Sequence, residues 1–161
     1  MRINIRGLFF PITIVVLVAL DILLKTWAVN NLMHEPARIL IPGILGLTYL
    51  ENTGAAFGIG AGQAWGQLLF SVLKSVILIG IVWFYYKKIP ARPEMWFVRV
   101  PLTLIAAGGI GNLIDRATLG FVRDMLRFEF INFPIFNLAD VYVVVGCFVM
   151  IFVTLFVVKE I

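Results

Sequence analysis

Four apolar runs dominate this chain, from about Leu8 to Ala28, Ala64 to Tyr86, Phe97 to Ile114 and Leu138 to Val158. Each is close to the roughly 20 residues of helix that cross a bilayer core about 30 Å thick. Charges, proline or glycine bound every run, and Trp65, Trp83, Tyr85 and Trp96 stand near run ends as interfacial anchors. Of 161 residues, 61% are hydrophobic and 14% charged, where an ordinary globular domain carries about 25% charged residues. So few charges cannot cover a soluble surface of this size. A soluble enzyme, an extracellular disulfide module and a disordered tail are all excluded. Arg2 and Arg6 ahead of the first run resemble a signal peptide, but Lys25-Thr26-Trp27 is a poor cleavage site, so the run is read as a retained helix.

Charge placement sets the expected orientation. Four spans put both termini and the loop between spans two and three on one side, with Arg2, Arg6, Lys87, Lys88, Arg92, Arg99 and Lys159. The other side mixes Arg38, Arg116, Arg123 and Arg127 with Glu35, Glu51, Asp115, Asp124 and Glu129. The positive-inside rule makes the first side cytoplasmic, and two long connections, about 29–63 and 115–137, then lie outside. The net charge of +4 is scattered among apolar blocks, which argues against nucleic acid as a partner. In the first connection, glycine and proline punctuate bulky apolar residues, and Asn52-Thr53-Gly54 reads as a turn. A short sheet at the membrane surface fits that pattern. In the second, Leu126, Phe128 and Phe130 alternate with Arg127 and Glu129, as in a strand or half-buried ribbon. The expectation is an all-α polytopic membrane protein, one integral domain over 1–161, with four transmembrane helices and a small extracytoplasmic β-rich element.

The polar residues carry the chemistry. Cys147 is the one cysteine and His34 the one histidine, so no intrachain disulfide, no CxxC site and no two-histidine metal motif is possible. A charge at mid-membrane costs about 2.5–3.5 kcal/mol on insertion scales. Asp21 and Lys25, four apart on one helix face, are placed to pair. Lys74 lies near the middle of span two, flanked by Ser71 and Ser75. A serine–lysine dyad is a nucleophile–base arrangement, but its depth is wrong for water, and a continuous helix offers no oxyanion donors. A snorkelling or hydrogen-bonded lysine is the simpler reading. In span three, Ala106-Ala107-Gly108-Gly109-Ile110-Gly111 permits close helix approach, and Asn112, Asp115 and Arg116 share a face at its outer end. Asp124 on the following loop and Asp140 one turn inside span four can converge at one depth. Two such carboxylates in a low-dielectric site share a proton, so one can activate water while the other polarises a carbonyl. The structural alternative makes Asp124 a solvated loop acid and Asp140 a helix-capping acid. A proton relay is a third reading.

The runs N52-T-G-A-A-F-G58, G111-N-L-I-D-R116, V122-R-D-M125 and F136-N-L-A-D140 resemble, in order and spacing, the bacterial lipoprotein signal peptidases (signal peptidase II). The resemblance covers nearly the whole chain. It implies an intramembrane aspartic peptidase of the bacterial cytoplasmic membrane, without cofactor or metal. Such an enzyme cuts the signal peptide from diacylglyceryl-modified prolipoproteins, on the N-terminal side of the lipidated cysteine. The implied catalytic aspartates are Asp124 and Asp140. Supporting polar or substrate-binding positions fall on Asn52, Gly54, Asn112, Asp115, Arg116 and Asn137, with Asp21 and Lys25 from the family's first motif. Leu24 stands where that motif usually has threonine, and Lys74 matches no motif. Arg116 is placed either to bind a lipid phosphate or to hold Asp115. The expected partners are prolipoprotein substrates and membrane lipids, with the enzyme a monomer. A small four-helix proton or solute transporter using Asp21, Lys25, Asp115 and Asp140 is the alternative, and a purely structural membrane subunit a further one.

Overall fold

A computed structural model describes residues 5–53, 73, 76–84, 87 and 96–157. Gly54, Trp65, Ser71, Lys74, Ser75 and Tyr85 lie outside the described residues, as do much of the second apolar run and the charges Arg2, Lys88, Arg92 and Lys159. Helix α1 spans Ile5–Leu32, α2 Trp96–Leu119 and α3 Leu138–Phe152, the last continuing into a π-helical turn at Val153–Val157. Residues 76–84 are helical as well. Among the described residues three helices are long and apolar enough to cross a membrane, over Phe10–Leu32, Trp96–Leu119 and Leu138–Val157.

These helices are apolar outside and polar inside. On α1 the buried stripe is Val18, Asp21, Lys25, Ala28 and Leu32, the alternating three- and four-residue spacing of one helix face. Its other face exposes Val15 and Leu23, each 66% accessible. On α3, Phe148 is 70% accessible. Apolar faces this open suit the hydrocarbon of a membrane rather than water. Helix α2 is central: 56% of its span window is buried, against 22% for α1 and 17% for α3. One apolar cluster joins Phe10, Val98, Leu102, Ala106 and Val153, with Leu78 and Ile81 of the 76–84 stretch packed on it.

The small residues of α2 set how closely α3 approaches. A Cβ on Gly108 would strike the Ala139 carbonyl and stand 2.7 Å from Val143 Cγ2; one on Gly111 would stand 2.6 Å from Asp21 Oδ2. The first obstacle is backbone and cannot move aside.

At one end of the bundle lies a three-stranded antiparallel sheet in the order β1 (Arg38–Ile41), β2 (Leu45–Asn52), β3 (Val122–Phe128). The hairpin turn falls at Pro42-Gly43-Ile44, where Gly43 takes φ +70°. Asn52, read as part of a turn, is instead the last residue of β2. One other expectation is corrected here. Asp124 is in strand β3, not on a loop, because the alternation begins at Val122, before the aromatic segment. Helix α2 carries Asp115 and Arg116 with Asn112 and runs on to Leu119, stopping where Gly120 takes φ +83°. Likewise α1 continues to Leu32, which packs with Ala28 and Met125 against β3. Helices persist past the apolar run where a buried partner awaits them.

After β3 the chain folds back on itself. Phe136 N–H donates to Leu126 O (2.9 Å), and Leu126 N–H (2.8 Å) and Met125 N–H (3.0 Å) donate to Phe136 O. Phe128 packs against Phe130, Phe133 and Phe136 at centroid distances of 5.4, 5.5 and 4.9 Å. This clasp delivers Asn137, and with it the start of α3, beside β3.

Replacing Gly108 by alanine is expected to lower the thermal unfolding midpoint in detergent. Overpacking costs about 1–3 kcal/mol, more than the roughly 1 kcal/mol gained in helix propensity. Gly80→Ala, where no described atom lies within 4 Å, is expected to leave the midpoint unchanged or raise it.

Candidate active site

The site starts from a helix cap. Asn137, with φ −128° and ψ 180°, is the N-cap of α3. Its Oδ1 accepts from Asp140 N–H at 2.9 Å, and Asp140 Oδ2 accepts from Asn137 N–H at 3.2 Å. The two form a capping box, which satisfies donors the helix start leaves open. Asp140 is therefore a capping acid, but only one of its oxygens is used that way. The other, Oδ1, accepts from Asn112 Nδ2 at 2.7 Å.

Asp124 is 1% accessible, the opposite of a solvated loop acid. Asn52 pairs with Val122 and Leu50 with Asp124 across the β2–β3 ladder. Asn52 therefore lies diagonal to Asp124 on one face, and its Nδ2 donates to Asp124 Oδ2 at 2.8 Å. Asn137 Nδ2 donates to Asp124 Oδ1 at 2.6 Å and to Asn112 Oδ1 at 3.0 Å. One asparagine side chain thus touches Asp124 directly, caps Asp140 and reaches Asn112, which holds Asp140 from the other side. Burial pushes the Asp124 carboxyl up to about 7. The hydrogen bond from Asn52 opposes that rise, the charge of Asp140 adds to it, and Asn137 and Lys25 oppose it.

Behind this pair lies a buried network of four charges. Lys25 Nζ is 2.7 Å from Asp21 Oδ2 and 3.4 Å from Asp115 Oδ2, with all three side chains 0% accessible. It also donates to Asn112 Oδ1 at 3.0 Å. Asp115 is held by Arg123, through Nη2 to Oδ1 at 2.7 Å, Nε to Oδ2 at 3.3 Å and backbone N–H to Oδ2 at 3.0 Å. Asp21 Oδ1 accepts from Ala139 N–H at 2.9 Å, tying α1 to the start of α3. Two acids and two bases cancel, which is what keeps such a network tolerable out of water. Arg116 stands close enough to feel the charges of Asp140, Asp124 and Asp115.

The structure thus brings together Asp21, Lys25, Asn52, Asn112, Asp115, Arg116, Asp124, Asn137 and Asp140, while Gly54 lies outside the described residues. Leu24 packs in the apolar cluster of Ala28, Leu32 and Met125, so an aliphatic side chain suits that position. Arg123 was missed by sequence reasoning, as was Thr26, whose Oγ1 accepts from Arg123 Nη1 at 3.4 Å. The available signal was an arginine beside Asp124 and eight residues after Asp115. Among the described residues no three His, Cys, Asp or Glu side chains are grouped to hold a metal ion.

Fold and site define a helical membrane protein with two carboxylates joined by asparagine amides near one end of its bundle. A family model described as "Signal peptidase (SPase) II" matches residues 13–156. The lipoprotein signal peptidase of Streptococcus pneumoniae is 44% identical over 139 residues, covering 86% of this chain and 87% of its own. That of Lactococcus lactis subsp. lactis is 42% identical over 155 residues, covering 96% and 98%. A solved bacterial membrane enzyme, determined by the in meso method at 2.3 Å resolution, superposes with a TM-score of 0.81 at 30% identity, over 94% of this chain and 92% of its own. The chain belongs to the signal peptidase II family, and it is an aspartic peptidase. The transporter reading is not favoured.

The Asp124 shift has a thermodynamic consequence with a definite sign. Below about 7 the folded protein keeps a proton on Asp124 that an unfolded carboxyl gives up near pH 4. Stability from this group is therefore complete at low pH and declines as pH rises through 4 to 7. Asp124→Asn removes that dependence. The midpoint of the variant relative to the parent is expected to climb across this window and level off above pH 7, followed by thermal unfolding in detergent at fixed ionic strength.

Proposed function

We propose that Asp124 and Asp140 are the catalytic dyad of this lipoprotein signal peptidase. In this reading they hydrolyse the peptide bond N-terminal to the diacylglyceryl-modified cysteine of a prolipoprotein. The observation that carries the reading is the convergence of both carboxylates on Asn137, one as a direct acceptor and one through the capping box. Asp124, with its carboxyl pushed up to about 7, holds the proton, polarises the scissile carbonyl and then protonates the leaving amine. Asp140 takes a proton from water as that water attacks. No acyl-enzyme forms. The substrate enters from lipid between the helices, the dyad faces the outer side of the cytoplasmic membrane, and the enzyme is a monomer of four spans with cytoplasmic termini. Supporting that orientation are the lysines and arginines near the termini and between spans two and three, and the position of the sheet at the dyad's end of the bundle. Arg116, beside three carboxylates, keeps the site from accumulating negative charge.

Purified protein incubated with a diacylated precursor peptide tests this directly. Asp124→Asn and Asp140→Asn are each expected to lose at least about 10³-fold in rate, within the range of general acid–base catalysis, while still inserting. EDTA is expected to change nothing. Full cleavage by Asp140→Asn would overturn the dyad. The parent's kcat/KM should fall as pH rises through about 7, where Asp124 gives up its proton and the acid is lost.

A further inference from the structure

We propose that Lys25 is a positioning residue for the reaction: acting through Asn112, it strengthens the hydrogen bond to Asp140 and so makes Asp140 the base and Asp124 the acid. The inference rests on the dyad assignment above.

Lys25 has three N–H donors, and the structure supplies three acceptors: Asp21 Oδ2 at 2.7 Å, Asn112 Oδ1 at 3.0 Å and Asp115 Oδ2 at 3.4 Å. Pairing with Asp21 alone would neutralise it. Its other short contact is to a neutral amide whose nitrogen donates to Asp140 Oδ1 at 2.7 Å. A cation at the oxygen of an amide draws electron density from its nitrogen and makes that N–H a stronger donor, the cooperative effect of a hydrogen-bond chain. The beneficiary is a carboxylate, which gains more from a strong donor than a carboxylic acid does. Asp140 also accepts a backbone N–H at the start of α3, where the helix dipole favours negative charge. Asp124 sits on a strand, and its two hydrogen-bonding side chains, Asn52 and Asn137, are neutral. Two chemically identical acids are thereby given unequal partners.

The surrounding charges do not undo this. Facing Lys25 and the dyad are Asp21 on α1, Asp115 and Arg116 on α2, Arg123 and Asp124 on β3, Asp140 on α3, and Glu51 on β2 as the cross-strand partner of Arg123. Arg123 engages both oxygens of Asp115. Asp115 is thus answered by its own cation, and the charge of Lys25 is divided between Asp21 and the Asn112 amide.

Lys25→Met alone strands buried Asp21, so the test uses Asp21→Asn/Lys25→Met, which removes one charge of each sign. Cleavage of a diacylated precursor peptide by this protein is expected to lose about 10- to 100-fold in kcat, the worth of one hydrogen bond to a charged group, with KM little changed. Because the variant loses the strengthened hydrogen bond to the base, the acid limb of the kcat/KM profile is expected to move to higher pH. A lysine that only stabilises the fold would scale the profile without moving it. In an Asn112→Ala background the same pair of changes is expected to add little, since the path is already cut. An unmoved limb, or full additivity with Asn112→Ala, overturns the role of Lys25. Asp124→Asn and Asp140→Asn run beside it: if either still cleaves, the dyad assignment falls, whereas if both are dead and the limb is unmoved, only the inference falls.

Discussion

The side-chain amide of Asn137 is the joint on which the architecture turns. Its nitrogen has two hydrogens, and both are used, on Asp124 and on Asn112. Its oxygen accepts the Asp140 backbone N–H, and its own backbone N–H goes to the Asp140 carboxylate. A fully buried amide must find partners for both ends, so this residue can sit correctly only when strand β3, helix α2 and the start of α3 are all in place. Positioning the carboxylates and closing the fold are therefore one event. The clasp between Leu126 and Phe136, with Phe128 packed on the intervening aromatics, holds the chain short and rigid on the approach to it.

Around that joint the usual economy of a folded chain is reversed. Lipid is as apolar as a leucine side chain, so burying leucine between helices gains little. Asp21, Lys25, Asn112, Asp115, Asp124 and Asn137 lie inside, while Val15, Leu23, Phe148 and Phe152 lie outside. Association must then come from polar pairing and close packing. Asp21 binding the Ala139 backbone supplies the first, and Gly108 against the Ala139 carbonyl supplies the second. Both contacts act on the same turn of α3, the turn that carries Asp140. The rigidity needed to hold that carboxylate in place comes from the forces that hold the helices together.

Much of this was legible in residue order. The Asp21 and Lys25 spacing is one helical turn, and a buried pair at that spacing has few other solutions. The alternation through Leu126, Phe128 and Phe130 announced a ribbon, though not that it begins at Val122 or that Phe136 returns to close on it. Long-range pairing has no local signature. Arg123 was invisible for a related reason: in a segment between apolar runs carrying both signs, an arginine reads as a solvated charge until Asp115 is seen to face it. Asn137 was recognisable as a likeness to a motif, yet its double donation depends on two other elements arriving together. Helix ends were misjudged because an apolar run measures the lipid a helix crosses, whereas the helix itself stops at a cap, as at Gly120.

Secondary structure accounts for the difference between the two acids. A helix start offers free N–H groups and a favourable dipole, so an acid placed three residues after the cap is suited to carry charge. A strand has spent its N–H groups on its neighbours, and a buried acid there must rely on side-chain amides. Asp140 is in the first position and Asp124 in the second. A symmetric pair of carboxylates would need substrate to break the tie between acid and base. In the dyad proposed above, the tie is broken by which element each residue belongs to, before any substrate arrives, and the proposed role of Lys25 acts in the same direction through Asn112.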